Sequence, residues 1–280
     1  MKLINHNQNN LDFLRFMAAS LIIVFHSCAL TGNGPSYTVI LSKGQLSLGE
    51  ICVYTFFMIS GYLILASYIR LGNVFKFMLF RVLRIFPALI IVVLLTVFVI
   101  GPIVTTVPIK DYFEAASTYV YLKSILLYPM QFYLTGFNTN SATQFNTAVN
   151  GSLWTLSYEF TCYLSIALLG IFRLLNRYVI MLMFLLSLFF SLSFVPVFHP
   201  GEHVWNYLLV WKIFEFCHIS IASASKYFCY FYAGALFYVY KDKISYNYKY
   251  LLIAMTVIAI SFGFGQELSV ILPFCGTYII

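Results

Sequence analysis

Arg15 and His26 sit inside the first long apolar run of this sequence, Leu11 to Leu30, where burying an ionisable side chain is costly. A charged or titratable group in a membrane span costs a few kcal/mol by insertion scales, roughly 3 at the helix centre, so each one calls for a role. Eleven positions at 100° per residue is three turns plus about 20°, which puts both on one helix face about 16 Å apart along the axis. Asp12 stands three residues before Arg15, a spacing that lets its carboxylate hold the guanidinium. An imidazole held in a low-dielectric span suits proton transfer to or from a substrate hydroxyl. The bland readings are an Asp12–Arg15 pair snorkelling at the interface and a helix-to-helix hydrogen bond from His26.

Two further clusters carry chemistry. Phe77, Phe80, Arg81, Arg84, Ile85 and Pro87 stand where the third apolar span is expected to begin, and Arg81 and Arg84, three apart, offer two guanidiniums on one face. That arrangement suits phosphate or pyrophosphate, or simple anchoring on lipid phosphates. In Asn150-Gly151-Ser152-Leu153-Trp154-Thr155-Leu156-Ser157-Tyr158-Glu159, the carboxylate of Glu159 falls about two turns into an apolar helix, beside Trp154 and Ser157. There it is placed either to orient an imidazole from another helix or to make a structural hydrogen bond. Ser60-Gly61, inside Phe56 to Tyr62, marks a close helix approach or a place where substrate lies on backbone.

The elements that must hold these groups are membrane helices. Hydrophobic residues make up 61% and charged ones 9%, against about 25% charged in soluble chains, and mean hydropathy is +0.89. Apolar runs near the roughly 20 residues needed to cross a bilayer fall at about 11–31, 49–69, 84–105, 152–171, 179–197, 224–240 and 250–265, with a last stretch from about 268. These predict an all-α, polytopic bundle of about eight spans forming one membrane-embedded domain over 1–280. Segment 112–134, interrupted by Glu114, Lys123 and Pro129, is a span, a re-entrant piece or an interfacial helix.

With the N-terminus cytoplasmic and 112–134 not crossing, ten Lys and Arg residues face inward and five outward. Their dispersal between apolar segments makes the net charge of +7 an orientation signal and argues against nucleic acid as partner. The six cysteines show no CxxC spacing, hence no disulfide framework and no zinc site. His199, Glu202 and His203 lack a third ligand and fall in a turn containing Pro200 and Gly201, so no metal is expected there.

In order and spacing, Asp12-x-x-Arg15 with His26, then Phe56-Phe57-Met58-Ile59-Ser60-Gly61-Tyr62, then Arg81-x-x-Arg84-Ile85-x-Pro87, then Leu153 to Glu159, resemble the acyltransferase-3 family of membrane acyltransferases. That group includes bacterial O-antigen, capsule and peptidoglycan O-acetyltransferases. Phe231-Tyr232-Ala233-Gly234 is similar to the family's glycine-bearing span. The resemblance implies an inner-membrane O-acetyltransferase with acetyl-CoA or another acyl-CoA as donor, no bound cofactor, and a saccharide acceptor such as lipopolysaccharide. It gives His26 the part of general base or acyl carrier. Arg15 would support the donor or the active face of the first helix, Arg81 and Arg84 would engage the CoA phosphates, and Glu159 would orient His26 or assist proton transfer. The family's last helices and their motif find no match before Ile280, which predicts an incomplete C-terminus; no fused esterase-like domain is seen. The rival is a transporter or flippase for a lipid-linked saccharide, in which the same buried groups bind or relay protons, or an inactive shortened member.

Overall fold

A computed structural model describes residues 10–30, 46–137, 148–193, 220–245, 247–264 and 268–280. Among them every regular element is helical, apart from one isolated antiparallel bridge between Tyr133 and Ala148. The long helices are α1 (Leu11–Leu30), α2 (Leu48–Leu71) and α3 (Val74–Val104, interrupted by a π turn at Thr96–Ile100). Two short helices follow, α4 (Ile109–Glu114) and α5 (Ala116–Val120), then α6 (Trp154–Ile171), α7 (Arg177–Ser193), α8 (Ile221–Tyr240), α9 (Tyr248–Phe264) and α10 (Leu268–Ile279). Two of them, α2 and α3, are long and apolar enough to cross a membrane. Residues 138–147, the end of the 179–197 span, and His199, Glu202 and His203 lie outside the described residues.

Two compact units emerge. One holds 1–69, 175–193 and 225–280, and the other 70–174 and 194–224. In the first, α2 starts on a capping box. Ser47 Oγ accepts from the Glu50 amide (3.2 Å), while the Glu50 carboxylate accepts from the Ser47 amide (2.9 Å) and hydroxyl (3.0 Å). This occupies amides that a helix start leaves open. Further along, α2 and α8 meet backbone to backbone. A Cβ on Gly61 would fall 1.8 Å from the Phe231 carbonyl oxygen, and one on Gly234 would fall 1.9 Å from that of Met58. Two glycines facing opposite chains remove the side chains that would hold the helices apart. Gly61 thus marks a close approach of α2 and α8.

In the second unit the third span starts earlier than its apolar run suggests. The expected start near 84 is wrong by ten residues: Asn73 caps the helix, its side chain accepting from the Lys76 amide at 3.0 Å, so α3 begins at Val74. Lys76, Arg81 and Arg84 interrupt the apolar run here, yet the cap and the long aliphatic stems of Lys and Arg keep that stretch helical. Arg81 and Arg84 therefore lie about 10 and 15 Å along the helix rather than at its entrance.

The π turn near the other end of α3 has a chemical cause. The Gly101 amide bonds back to Thr96 O, so in this register Val97 O awaits the amide of residue 102. That residue is Pro102, which has none. The Tyr112 hydroxyl takes the place, donating to Val97 O at 2.8 Å, and it reaches there because Gly101 carries no side chain; a Cβ would lie 2.0 Å from the Tyr112 oxygen. Burial pushes the Tyr112 hydroxyl up from its ordinary pKa, which keeps the donor proton in place. Tyr112→Phe leaves a buried carbonyl unsatisfied and is expected to lower stability by about 1–3 kcal/mol, read as a drop in thermal midpoint. Gly101→Ala, which pushes the same ring away, should match or exceed it, and an unchanged midpoint in both would contradict the pairing.

Segment 112–134 is built of short helical pieces, the end of α4, then α5 continued by a 3-10 stretch at Tyr121–Leu126. It folds back on its own unit. Thr118 Oγ1 bonds Tyr112 O (2.7 Å) and Thr135 Oγ1 (2.8 Å), and Thr106 N bonds Gly136 O (2.9 Å). These tie the chain after α5 to the end of α3.

Candidate active site

In the first unit, α1 presents one packed stripe and one exposed face. Leu11, Leu14, Arg15, Ala18, Ile22, Phe25 and His26 are buried or half-buried at three- and four-residue steps, whereas Phe13, Phe16, Ile23 and Val24 are exposed. Arg15 and His26 thus share the face that meets protein, as their spacing requires. Arg15 stands 3.9 Å from Asp12, whose carboxylate is 77% exposed. At that length and exposure the pair orients the guanidinium and adds little stability. The α1 contact with α2 lies one residue from His26: the Phe25 ring fills the space over Gly49, at 2.6 Å from where a Cβ would be. Any side chain at 49 would therefore shift the imidazole's neighbour, and with it the end of α1 that carries His26.

On α2, Ser60 is buried and its hydroxyl has no hydrogen-bond partner among the described residues. Toward the start of the helix an aromatic cluster forms with α8: Tyr54 stacks on Tyr230 (4.0 Å between centroids), Phe57 stacks on Tyr227 (4.8 Å), and Lys226 Nζ lies 5.9 Å from the centre of the Tyr54 ring. Composition alone did not single out this cluster; its signal is the run of aromatics one helical turn apart in Lys226 to Tyr230, which faces Tyr54 and Phe57.

The second unit gathers Arg81 and Glu159. The Arg81 guanidinium lies over the Phe77 ring (5.6 Å) and the Tyr163 ring (5.8 Å), and the Tyr163 hydroxyl donates to the Glu159 carboxylate. The two arginines of the pair are not equivalent: Arg81 is half-buried between α3 and α6, while Arg84 is exposed. A cation set over an aromatic ring that in turn bonds a carboxylate polarises the phenol and lets both charges sit in an apolar helix pair. Tyr163 escaped the sequence reading although it stands four residues after Glu159, the spacing that places two side chains on one helix face.

Of the residues flanking Glu159, Ser157 serves the fold. Its hydroxyl donates to Leu127 O (2.8 Å), and the Tyr128 hydroxyl donates to Ser157 O (2.8 Å) and meets Thr161 Oγ1 (2.7 Å), pinning the folded-back segment to α6. Trp154 packs edge-on against Tyr158 (5.6 Å), whose hydroxyl accepts from the Ser220 amide (3.1 Å). The predicted site residues therefore fall into two sets, Asp12, Arg15, His26 and Ser60 in one unit and Arg81, Arg84, Trp154, Ser157 and Glu159 in the other. No group of three or more His, Cys, Asp and Glu with metal-binding geometry occurs among the described residues.

Comparison with known proteins agrees with the motif order. The chain is 36% identical over 160 residues to an O-acetyl transferase of Shigella phage Sf6, covering 57% of this chain and 45% of that protein. It is 32% identical over 168 residues to nodulation protein 10 of Rhizobium leguminosarum bv. viciae, covering 58% and 44%. The matches span a little under half the length of these relatives. No solved structure matches the chain. A family model described as an acyltransferase domain matches residues 8–274, a stretch that contains every one of the motif residues above, and the chain belongs to this acyltransferase-3 family.

Proposed function

We propose that the protein transfers an acyl group, acetyl in the first instance, from acyl-CoA to a hydroxyl of a cell-surface polysaccharide or its lipid-linked precursor. The observation that carries the reading is the family match over 8–274 together with the O-acetyl transferase among the relatives. In this account the chain is a single polytopic domain of about eight spans in a bacterial inner membrane, with a cytoplasmic N-terminus. The exposed apolar faces of α1 and α3 support it, because phenylalanines and branched aliphatics in that number have lipid as their natural solvent.

A sugar hydroxyl is a weak nucleophile at neutral pH. His26 removes its proton as the oxygen attacks the thioester carbonyl, the tetrahedral adduct collapses with loss of the CoA thiolate, and the imidazolium returns the proton to that sulfur. Alternatively His26 accepts the acyl group first and passes it on. Arg15, held on the same face by Asp12, supplies positive charge near the donor. Arg81 and Arg84 engage the donor phosphates, and Glu159, bonded by Tyr163, assists proton transfer. The chemistry asks for no bound cofactor.

The test is the polysaccharide itself. Expression in a host whose surface glycan has free hydroxyls should add one acetyl mass to its repeat units, released by mild base; a glycan of unchanged mass, with the protein present in membranes, would contradict the proposal. The arginine roles separate by kinetics. Arg84→Ala should raise the donor KM about tenfold, the worth of one charge-assisted hydrogen bond, with little change in kcat. Arg81→Ala should raise the donor KM as well and also lower kcat, since it removes the cation over Tyr163. Donor dependence unchanged in both would reduce the pair to topological anchors.

A further inference from the structure

A cavity of about 280 Å³ opens at the end of the first unit where α2 and α8 finish and α7 begins. Its apolar wall comes from Leu65, Ile69, Ile180 and Val239, and its polar rim from Asn176, Arg177, Tyr238, Lys241 and Asp242. We propose that this cavity is a binding site for the phosphate headgroup of an anionic phospholipid, distinct from the donor arginines of the other unit. The inference rests on the membrane placement argued above and not on the transfer chemistry.

Charge and shape both point to that ligand. Arg177 and Lys241 bring two cations against the single carboxylate of Asp242, and neither makes an ion pair among the described residues. Arg177 spends one N–H on Tyr178 Oη (2.9 Å) and lies over that ring (4.8 Å), and Lys241 Nζ lies over the Tyr238 ring (4.3 Å). Both cations are thus held at the rim with donors left over. Asn176 uses its side-chain oxygen on the amides of Tyr178 and Val179, both at 3.0 Å, which leaves its NH2 group to donate. An arginine fork, an ammonium and an amide donor around one opening are the equipment for a phosphate oxyanion. At about 280 Å³ the opening has room for a phosphate headgroup. The apolar wall gives the attached chains a path along the helices.

The test uses the full-length protein purified from membranes in detergent, with bound lipids counted by native mass spectrometry. Phosphatidylglycerol should be retained over phosphatidylcholine of equal chain length, and the double variant Arg177→Gln, Lys241→Gln should lose that preference by about tenfold or more. Asp242→Asn, which removes the one repelling charge, should strengthen it several-fold. The charge-keeping pair Arg177→Lys, Lys241→Arg should retain it, which separates loss of the site from loss of the fold. Free CoA supplies the second arm. If CoA displaces the lipid and its own binding falls in the double variant, the lipid assignment is overturned and the phosphate site belongs to the donor. An undiminished phosphatidylglycerol preference in the double variant overturns the site, and recovery of the protein outside the membrane fraction would instead remove the placement on which it rests.

Discussion

His26→Ala is expected to lower acyl transfer by about 10²–10⁴-fold, the contribution of a positioned general base, while leaving the amount of protein in the membrane unchanged. The two halves of that expectation have separate physical grounds. Loss of the imidazole removes the side chain on the α1 face suited to general-base chemistry. Replacing it by a methyl makes α1 more apolar and leaves the Phe25 contact over Gly49 in place, so insertion and packing should not suffer. Gly49→Leu tests the same geometry from outside the chemistry, because it forces the Phe25 ring to move and should reduce transfer with His26 still present. Transfer retained at full rate in His26→Ala would remove the imidazole from the mechanism.

Gly61→Val and Gly234→Val are expected to be the most damaging substitutions to the fold. Overpacking a core ordinarily costs about 1–3 kcal/mol because side chains can shift. Here the first added carbon would meet a backbone carbonyl oxygen, 1.8 Å away at Gly61 and 1.9 Å at Gly234, and a carbonyl in a helix cannot swing aside without breaking its own hydrogen bond. The α2–α8 contact must therefore open over its length, including the Tyr54–Tyr230 stack, and the protein should fail to accumulate in membranes. Gly151→Ala and Gly276→Ala are the internal controls: no atom lies within 4 Å of a Cβ at the first, and only ordinary contacts from 3.4 Å upward surround one at the second. Normal accumulation of both valine variants would show that the helices do not cross there.

Much of the helical layout was legible in the sequence because, in a chain this apolar, the run length between polar breaks is itself the structural signal. α1, α6, α8 and α9 fall within about three residues of their expected limits, and the shared face of Arg15 and His26 followed from helical period alone. The start of α3 was misplaced since Asn73, the cap, was outweighed by three charged residues that the helix accommodates on its surface. Segment 112–134 stayed open for a different reason. Its fold rests on contacts distant in sequence, Tyr112 to Val97, Tyr128 to Thr161 and Ser157 to Leu127, which no local pattern encodes.

The candidate site divides along the same line. Spacing identified His26, Arg15, Arg81, Arg84 and Glu159 as groups needing a role, and order along the chain identified the family. Roles that depend on a neighbour from another helix were not readable. Ser157 turned out to secure the folded-back segment, and Tyr163 to link Arg81 of α3 with Glu159. Each uses a residue type that suits catalysis equally well, so composition could not separate the structural use from the chemical one.

In the proposed mechanism acyl transfer depends on the His26 imidazole. The most direct measurement is incorporation of label from radiolabelled acetyl-CoA into envelope polysaccharide, using membranes that contain equal amounts of the wild-type protein or of His26→Ala. The account predicts label in the polysaccharide with the wild type and a loss of about 10²-fold or more with the variant. Equal incorporation by the two, or none by the wild type at normal membrane levels with excess acceptor, would contradict it.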